Sequence, residues 1–224
     1  MDKLVSFVKL DFMTVKPYFT VRNLSLFAII ALFISAVSGN FSVGVGLGMM
    51  LAINFISYPF AIGEKSNMDA LYTTLSADRK LVVLGRYVFS LALNLCSIVF
   101  YIAVGAAGTI AAGIIGVKTN VGNPFTIILM VFTFAIVIQS VQLPIYFKMG
   151  YAKAKFFAMA PYIIIMTVFV VITAMANARN ASTVISDNDL EKAMAYAPFW
   201  ALALIPVAYV SFRMSSAFYK KREF

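Results

Sequence analysis

The chain has 224 residues, of which 62% are hydrophobic and 12% charged, with no histidine and a formal net charge of +9. Soluble domains are roughly a quarter charged, so this composition excludes a water-soluble fold that hides its apolar surface in one core. The basic excess does not point to nucleic acid, because its charges fall between long apolar runs and read as membrane topology. Uncharged runs cover 23–63, 87–117, 119–147, 156–178 and 193–212, and each reaches the roughly 20 residues that span hydrocarbon.

In the N-terminal segment Leu4, Phe7, Val8 and Phe12 share one helical stripe, with Lys3, Lys9 and Lys16 largely elsewhere. That pattern suits a helix lying in the membrane interface; a frayed basic tail is the plainer alternative. Charge throughout the first 22 residues leaves no continuous apolar core for a cleavable signal peptide. Pro17 bends the chain before the first span. The run 23–63 is too long for one crossing and holds Ser38, Gly39 and Asn40, a turn signal, near its middle.

Splitting there gives six spans, at about 23–38, 43–63, 84–116, 124–147, 156–178 and 193–213. They are expected to be helices, since backbone polar groups in lipid must be satisfied within the segment. The fold class is therefore all-α integral membrane, one domain over residues 1–224. Basic residues set the orientation. All of the 18 except Lys118, Arg179 and Lys192 lie on the side of the two termini, which the positive-inside rule makes cytoplasmic.

After Pro59 the second span exits at Gly63, and 64–75 forms the main polar segment between spans. Met68, Leu71, Tyr72 and Leu75 fall at helical spacing on one apolar face, opposite Glu64, Lys65, Asn67 and Thr74. Ser76 is expected to cap the third span's helix, with Asp78 near its positive end. The uncharged part of that helix is about 46 Å long against a roughly 30 Å hydrocarbon core. Tilt, an extension beyond the membrane, or a break at Gly105, Gly108, Gly113 or Gly116 must absorb the excess.

Gly44, Gly48 and Ala52, and again Gly108, Ala112 and Gly116, repeat at four-residue intervals that let helices approach closely. Pro144, Pro161, Pro198 and Pro206 allow kinks in the later spans. Ser186 with Asp189 forms a helix-starting pattern before the last span, and Asn180, Ala181 and Ser182 match the glycosylation triplet.

Much chemistry is missing. No ionisable residue falls deep within a span, which argues against proton-coupled transport and intramembrane metalloproteolysis. The single Cys96 leaves no disulfide framework and no thiolate metal site. The segment 113–119 fails as a phosphate loop, because Val117 stands where glycine must precede the lysine. The chain is not expected to be an enzyme or to hold a cofactor or metal. Neutral polar residues remain inside the spans, among them Asn54, Asn94, Gln139 and Gln142. They either line a translocation path or hydrogen-bond neighbouring helices.

The stretch 58–87, YPFAIGEKSNMDALYTTLSADRKLVVLGRY, resembles the small bacterial ABC-2 type transporter permeases and is similar to the permease subunits of phenol-soluble modulin exporters. Glu64, Asp69, Leu71, Tyr72, Leu75, Arg79, Lys80, Arg86 and Tyr87 occupy the matching positions, while Ser76 replaces the usual proline. The resemblance implies that 64–75 is a coupling helix on the cytoplasmic side, with Glu64, Met68, Asp69, Leu71, Tyr72, Leu75 and Arg79 meeting an ATPase. It also implies two separate ABC ATPase subunits that bind the ATP and Mg, a second identical or related permease chain, and residence in the bacterial cell membrane. The expected function is ATP-driven export of amphipathic peptides or other amphiphiles. A lipid-resting helix would show the same composition. Rival readings are an immunity or sensor protein for antimicrobial peptides and the substrate-binding component of a vitamin importer.

Overall fold

The computed structural model describes residues 2–68, 72, 78–119, 121, 123–178 and 197–222. Among these the chain forms eight α-helices and no strand: α1 Asp2–Val15, α2 Val21–Ser38, α3 Phe41–Phe55, α4 Tyr58–Lys65, α5 Arg79–Ile115, α6 Pro124–Met149, α7 Tyr151–Ala178 and α8 Ala197–Lys221. Among the described residues five stretches are long and apolar enough to cross a bilayer: α2, α3 with α4 (Phe41–Lys65), α5, α6 and Leu202–Lys221 of α8. The protein is an all-α, multi-pass membrane protein. Its outward faces suit hydrocarbon, with Ile29, Phe33, Ile114, Phe125 and Phe156 each at least 65% exposed.

The turn expected at Ser38 is present. Gly39 ends α2 at φ 63° and Asn40 starts α3 by accepting from the Ser42 N–H at 3.3 Å. A Cβ on Gly39 would lie 2.3 Å from the Lys118 carbonyl oxygen, so both the backbone angle and the space demand glycine there. The second span is not one helix. It breaks at Ile56 and Ser57, where backbone bonds shorten to three-residue turns (Ile56 N–H to Ile53 O, Ser57 N–H to Asn54 O) before α4 begins. Pro59 explains this, since it has no N–H and its ring clashes with the carbonyl four residues back, at Phe55.

The third span is longer than its apolar run. Asp78, not Ser76, is the N-cap of α5, accepting from the Lys80 N–H at 2.9 Å; Ser76 lies outside the described residues. From Arg79 the helix runs unbroken through Gly105, Gly108 and Gly113 for 37 residues, about 55 Å, and stops at Gly116 in the left-handed conformation. None of Gly105, Gly108 and Gly113 breaks it, so the excess length is taken up by tilt or by extension beyond the membrane. The loop expected between the fourth and fifth spans collapses to Gly150 alone, so Lys148, Lys153 and Lys155 are helical. Pro144, Pro161 and Pro206 lie inside helices α6, α7 and α8. Residues 179–196, with Asn180, Ser186 and Asp189, lie outside the described residues.

Small residues set the packing of α2, α3 and α5. Cβ atoms built on Gly44 and Gly108 would come within 3.0 Å or less of the Ser35 side chain, and one on Gly48 would enter the Tyr101 ring. Ala112 is fully buried. The spacing thus identified a real interface within the chain. Gly116 does not join it, because it serves as the helix stop, with open space around it.

Candidate functional site

The basic end of the bundle gathers the residues that the linker between α4 and α5 depends on. Glu64, in the last turn of α4, accepts hydrogen bonds from the backbone N–H groups of Tyr151 and Ala152, the latter at 3.1 Å. Those N–H groups open α7 and have no partner within their own helix, so the carboxylate both satisfies them and complements the positive end of the helix dipole. Gly150 makes the approach possible. A Cβ there would lie 3.1 Å from the Glu64 Oε2 and 2.8 Å from an Arg222 nitrogen, and its φ is 74°.

Arg79, the first residue of α5, donates to the last carbonyls of α8: Tyr219 at 3.4 Å, Lys220 at 2.8 Å and Arg222 at 3.3 Å. A cation at a helix C-terminus meets the negative end of the dipole. The linker therefore starts from a residue fastened to the head of α7 and ends at one fastened to the tail of α8.

Between these ends the described part of the linker turns inward. Tyr72 is 5% exposed and meets the Phe7 ring edge-on at 5.5 Å. It joins Val82, Val83, Phe147 and Tyr219 in one buried cluster, with Met68 packed alongside. The apolar face expected to receive an ATPase is thus occupied by the bundle itself at Met68 and Tyr72. The reason is composition: α1, α5, α6 and α8 all present aromatics here, and a Tyr ring buries more area against them than against water. Among the described residues of this segment, Glu64, Lys65, Ser66 and Asn67 are exposed. Asp69, Leu71 and Leu75 lie outside the described residues.

Beneath the linker sits an ion pair. Asp11 of α1 and Arg86 of α5 lie 3.1 Å apart, with side chains 5% and 8% exposed. The contact is not aligned as a hydrogen bond, and the Arg86 Nη1 has no aligned acceptor among the described residues; its guanidinium lies over the Phe60 ring at 4.8 Å. Burial, partly opposed by Arg86, pushes the Asp11 carboxyl above the usual carboxylate range. Phe7 crosses α5 at Gly85, where a Cβ would stand 3.1 Å from the Phe7 Cβ. Hence α1 uses Phe7, Val8, Asp11 and Val15 against the bundle and leaves Phe12 exposed.

The polar residues expected along a translocation path divide. Asn94 and Gln139 bond each other reciprocally, both bonds at 2.7 Å, and are fully buried. Gln142 donates to the Ala158 carbonyl at 2.9 Å. These three tie α5, α6 and α7 together, each amide spending its polarity on a neighbouring helix. Asn54 is exposed, just before the break in the second span. A further lock was missed: the Tyr87 hydroxyl meets Ser211 at 2.6 Å and Ser215 at 2.8 Å, and Ser211 donates to the Ser140 carbonyl.

The recess beside the clamps is too small for an organic ligand. Bounded by Pro59, Gly63, Glu64, Arg86, Gly150 and Arg222, it holds about 20 Å³, room for one water. What the arrangement can do is mechanical: it ties the two ends of a short surface linker to α7 and α8.

The sequence profile of the family described as ABC-2 family transporter protein matches residues 6–220, nearly the whole chain. No curated protein and no solved structure matches at the same stringency.

Proposed function

We propose, from the premise that this chain belongs to the ABC-2 transporter family, that it is the membrane permease of an exporter for amphipathic peptides or other amphiphiles. Two copies of a separate ABC ATPase would drive it, binding the ATP and Mg, and a second identical or related permease would complete the pathway. The reading places six spans in the bacterial cell membrane, with both termini and the linker 66–78 on the cytoplasmic side, where most of the lysines and arginines fall.

One observation carries the mechanism. The linker is clamped at both ends, by Glu64 on the start of α7 and by Arg79 on the end of α8. A push on the linker is therefore a push on two helices beyond those it directly connects. Bistable packed elements convert small displacements at one site into larger rearrangements. ATP-driven closure of the ATPase pair would supply the push, and separation of the outer ends of the helices would release cargo. Because Tyr72 and Met68 are turned into the bundle, the docking face for the ATPase includes the exposed residues Lys65, Ser66 and Asn67.

Co-purification with the cognate ATPase tests this. Lys65→Glu combined with Ser66→Trp should abolish retention of the ATPase while leaving the permease folded and monodisperse. Retention at the wild-type stoichiometry would reject this docking face. In proteoliposomes, amphipathic helical peptides should stimulate ATP hydrolysis by the intact complex.

A further inference from the structure

A second, larger cavity lies away from the linker, between α1, the short 3-10 turn Lys16–Tyr18 and the flank of α5. Its volume is about 700 Å³, within the range of sites that hold organic ligands. Phe12, Phe19, Phe55, Leu93 and Phe100 supply an apolar wall. The α5 residues along it run from Phe89 to Tyr101, about 18 Å of helix, close to one leaflet's share of the roughly 30 Å hydrocarbon core.

The polar part of the lining is dominated by two cations, Lys9 and Lys16. Both are exposed, and neither meets a carboxylate among the described residues. They belong to α1 and its turn, and α1 crosses α5 at Gly85, so they stand at the basic end of the groove while its apolar wall continues toward the other end. Two lysines about two helical turns apart beside a long apolar trough are complementary to a single chemistry: an anionic head on a hydrocarbon tail.

We infer that this groove seats one anionic phospholipid from the leaflet on the basic side, its phosphate between Lys9 and Lys16 and an acyl chain along α5. Three points favour a lipid over a second copy of the chain. The two lysines belong to the basic side by the positive-inside rule, the lining follows the α5 span from Phe89 to Tyr101, and the leaflet facing that side is the one in which anionic lipids attract juxtamembrane lysines. The site requires a membrane but does not depend on the export reading.

The test uses the full-length protein in detergent, with phosphatidylglycerol and phosphatidylcholine of identical acyl chains added in turn, and native mass spectrometry to count retained lipids. The wild type should retain one phosphatidylglycerol in preference to phosphatidylcholine. Lys9→Gln with Lys16→Gln should weaken phosphatidylglycerol binding about 30-fold. Lys153→Gln with Lys155→Gln, which removes the same charge elsewhere, should leave it unchanged. Cys96→Trp, which fills the trough from its exposed thiol position, should expel the bound lipid even though both lysines remain. Far-UV circular dichroism separates these losses from unfolding. Equal retention of the two lipids by the wild type, or an undiminished preference in the Lys9/Lys16 variant, would overturn the inference. So would disulfide-linked dimers through Cys96 in the native membrane, which would give the groove to a second copy.

Discussion

Replacing Asp11 by alanine leaves the Arg86 guanidinium, 8% exposed, without its carboxylate. Breaking a buried ion pair from one side costs about 3–5 kcal/mol, and two features place this case at the lower end. Arg86 keeps its seat over the Phe60 ring, a cation–π contact of about 2 kcal/mol when desolvated. The carboxylate is itself held at a cost, since burial outweighs Arg86 and raises its pKa, so deleting it recovers part of that desolvation. The expected loss for Asp11→Ala is about 3 kcal/mol. Asp11→Asn, which keeps an acceptor oxygen, should lose about 1 kcal/mol. The apolar pair Asp11→Leu with Arg86→Met should cost at least about 1 kcal/mol less than the sum of the two single changes, because neither partner is then left buried and alone. Unfolding in mixed micelles of rising SDS fraction, followed by circular dichroism, gives these differences. A loss under about 0.5 kcal/mol for Asp11→Ala, or strict additivity in the double variant, would show that the pair is not buried as described.

The same carboxyl sets a pH dependence. With its folded pKa above the ordinary 3.8, the native state binds this proton more tightly than the unfolded state, so its contribution is complete below 3.8 and is lost as pH rises through the folded value; Asp11→Asn should remove that slope from the wild-type stability curve. Gly48→Ala drives a Cβ into the Tyr101 ring and should destabilise by about 1–3 kcal/mol, whereas Gly46→Ala, with open space at that position, should be neutral or slightly stabilising in the same titration. Asn94→Leu should cost about 1 kcal/mol by stranding the buried Gln139 amide, and adding Gln139→Leu should recover part of it; a greater loss in the double variant would contradict the reciprocal pair.

The fold was largely legible, because spans and turns are written in short-range pattern. Uncharged runs gave the helices, Ser38–Gly39–Asn40 gave the first hairpin, and the four-residue glycine spacing gave the α3–α5 contact. The break before Pro59 was also signalled, since proline forbids the continuous helix expected there. Asp11 was an unheeded signal: it stands three residues from Val8 and four from Phe7, within the apolar stripe, and a charge on such a stripe calls for a buried partner.

The clamps were not legible. Glu64 reaches residues 87 and 88 positions away, and Arg79 reaches carbonyls 140 or more away. No local spacing encodes such pairings. For the same reason Asn94 and Gln139 were recognised as polar groups in spans, but not as each other's partner. Tyr72 has the helical spacing of a docking face and the burial of a core residue, and only the positions of α1 and α8 decide between them.

The proposal that force enters through the linker and leaves through its two clamps is tested in one experiment. In the reconstituted complex, Glu64→Gln with Arg79→Met should keep the ATPase bound and its basal hydrolysis intact, yet lose most of the stimulation by amphipathic peptide. Peptide-stimulated hydrolysis and transport at the wild-type rate in that double variant would contradict it.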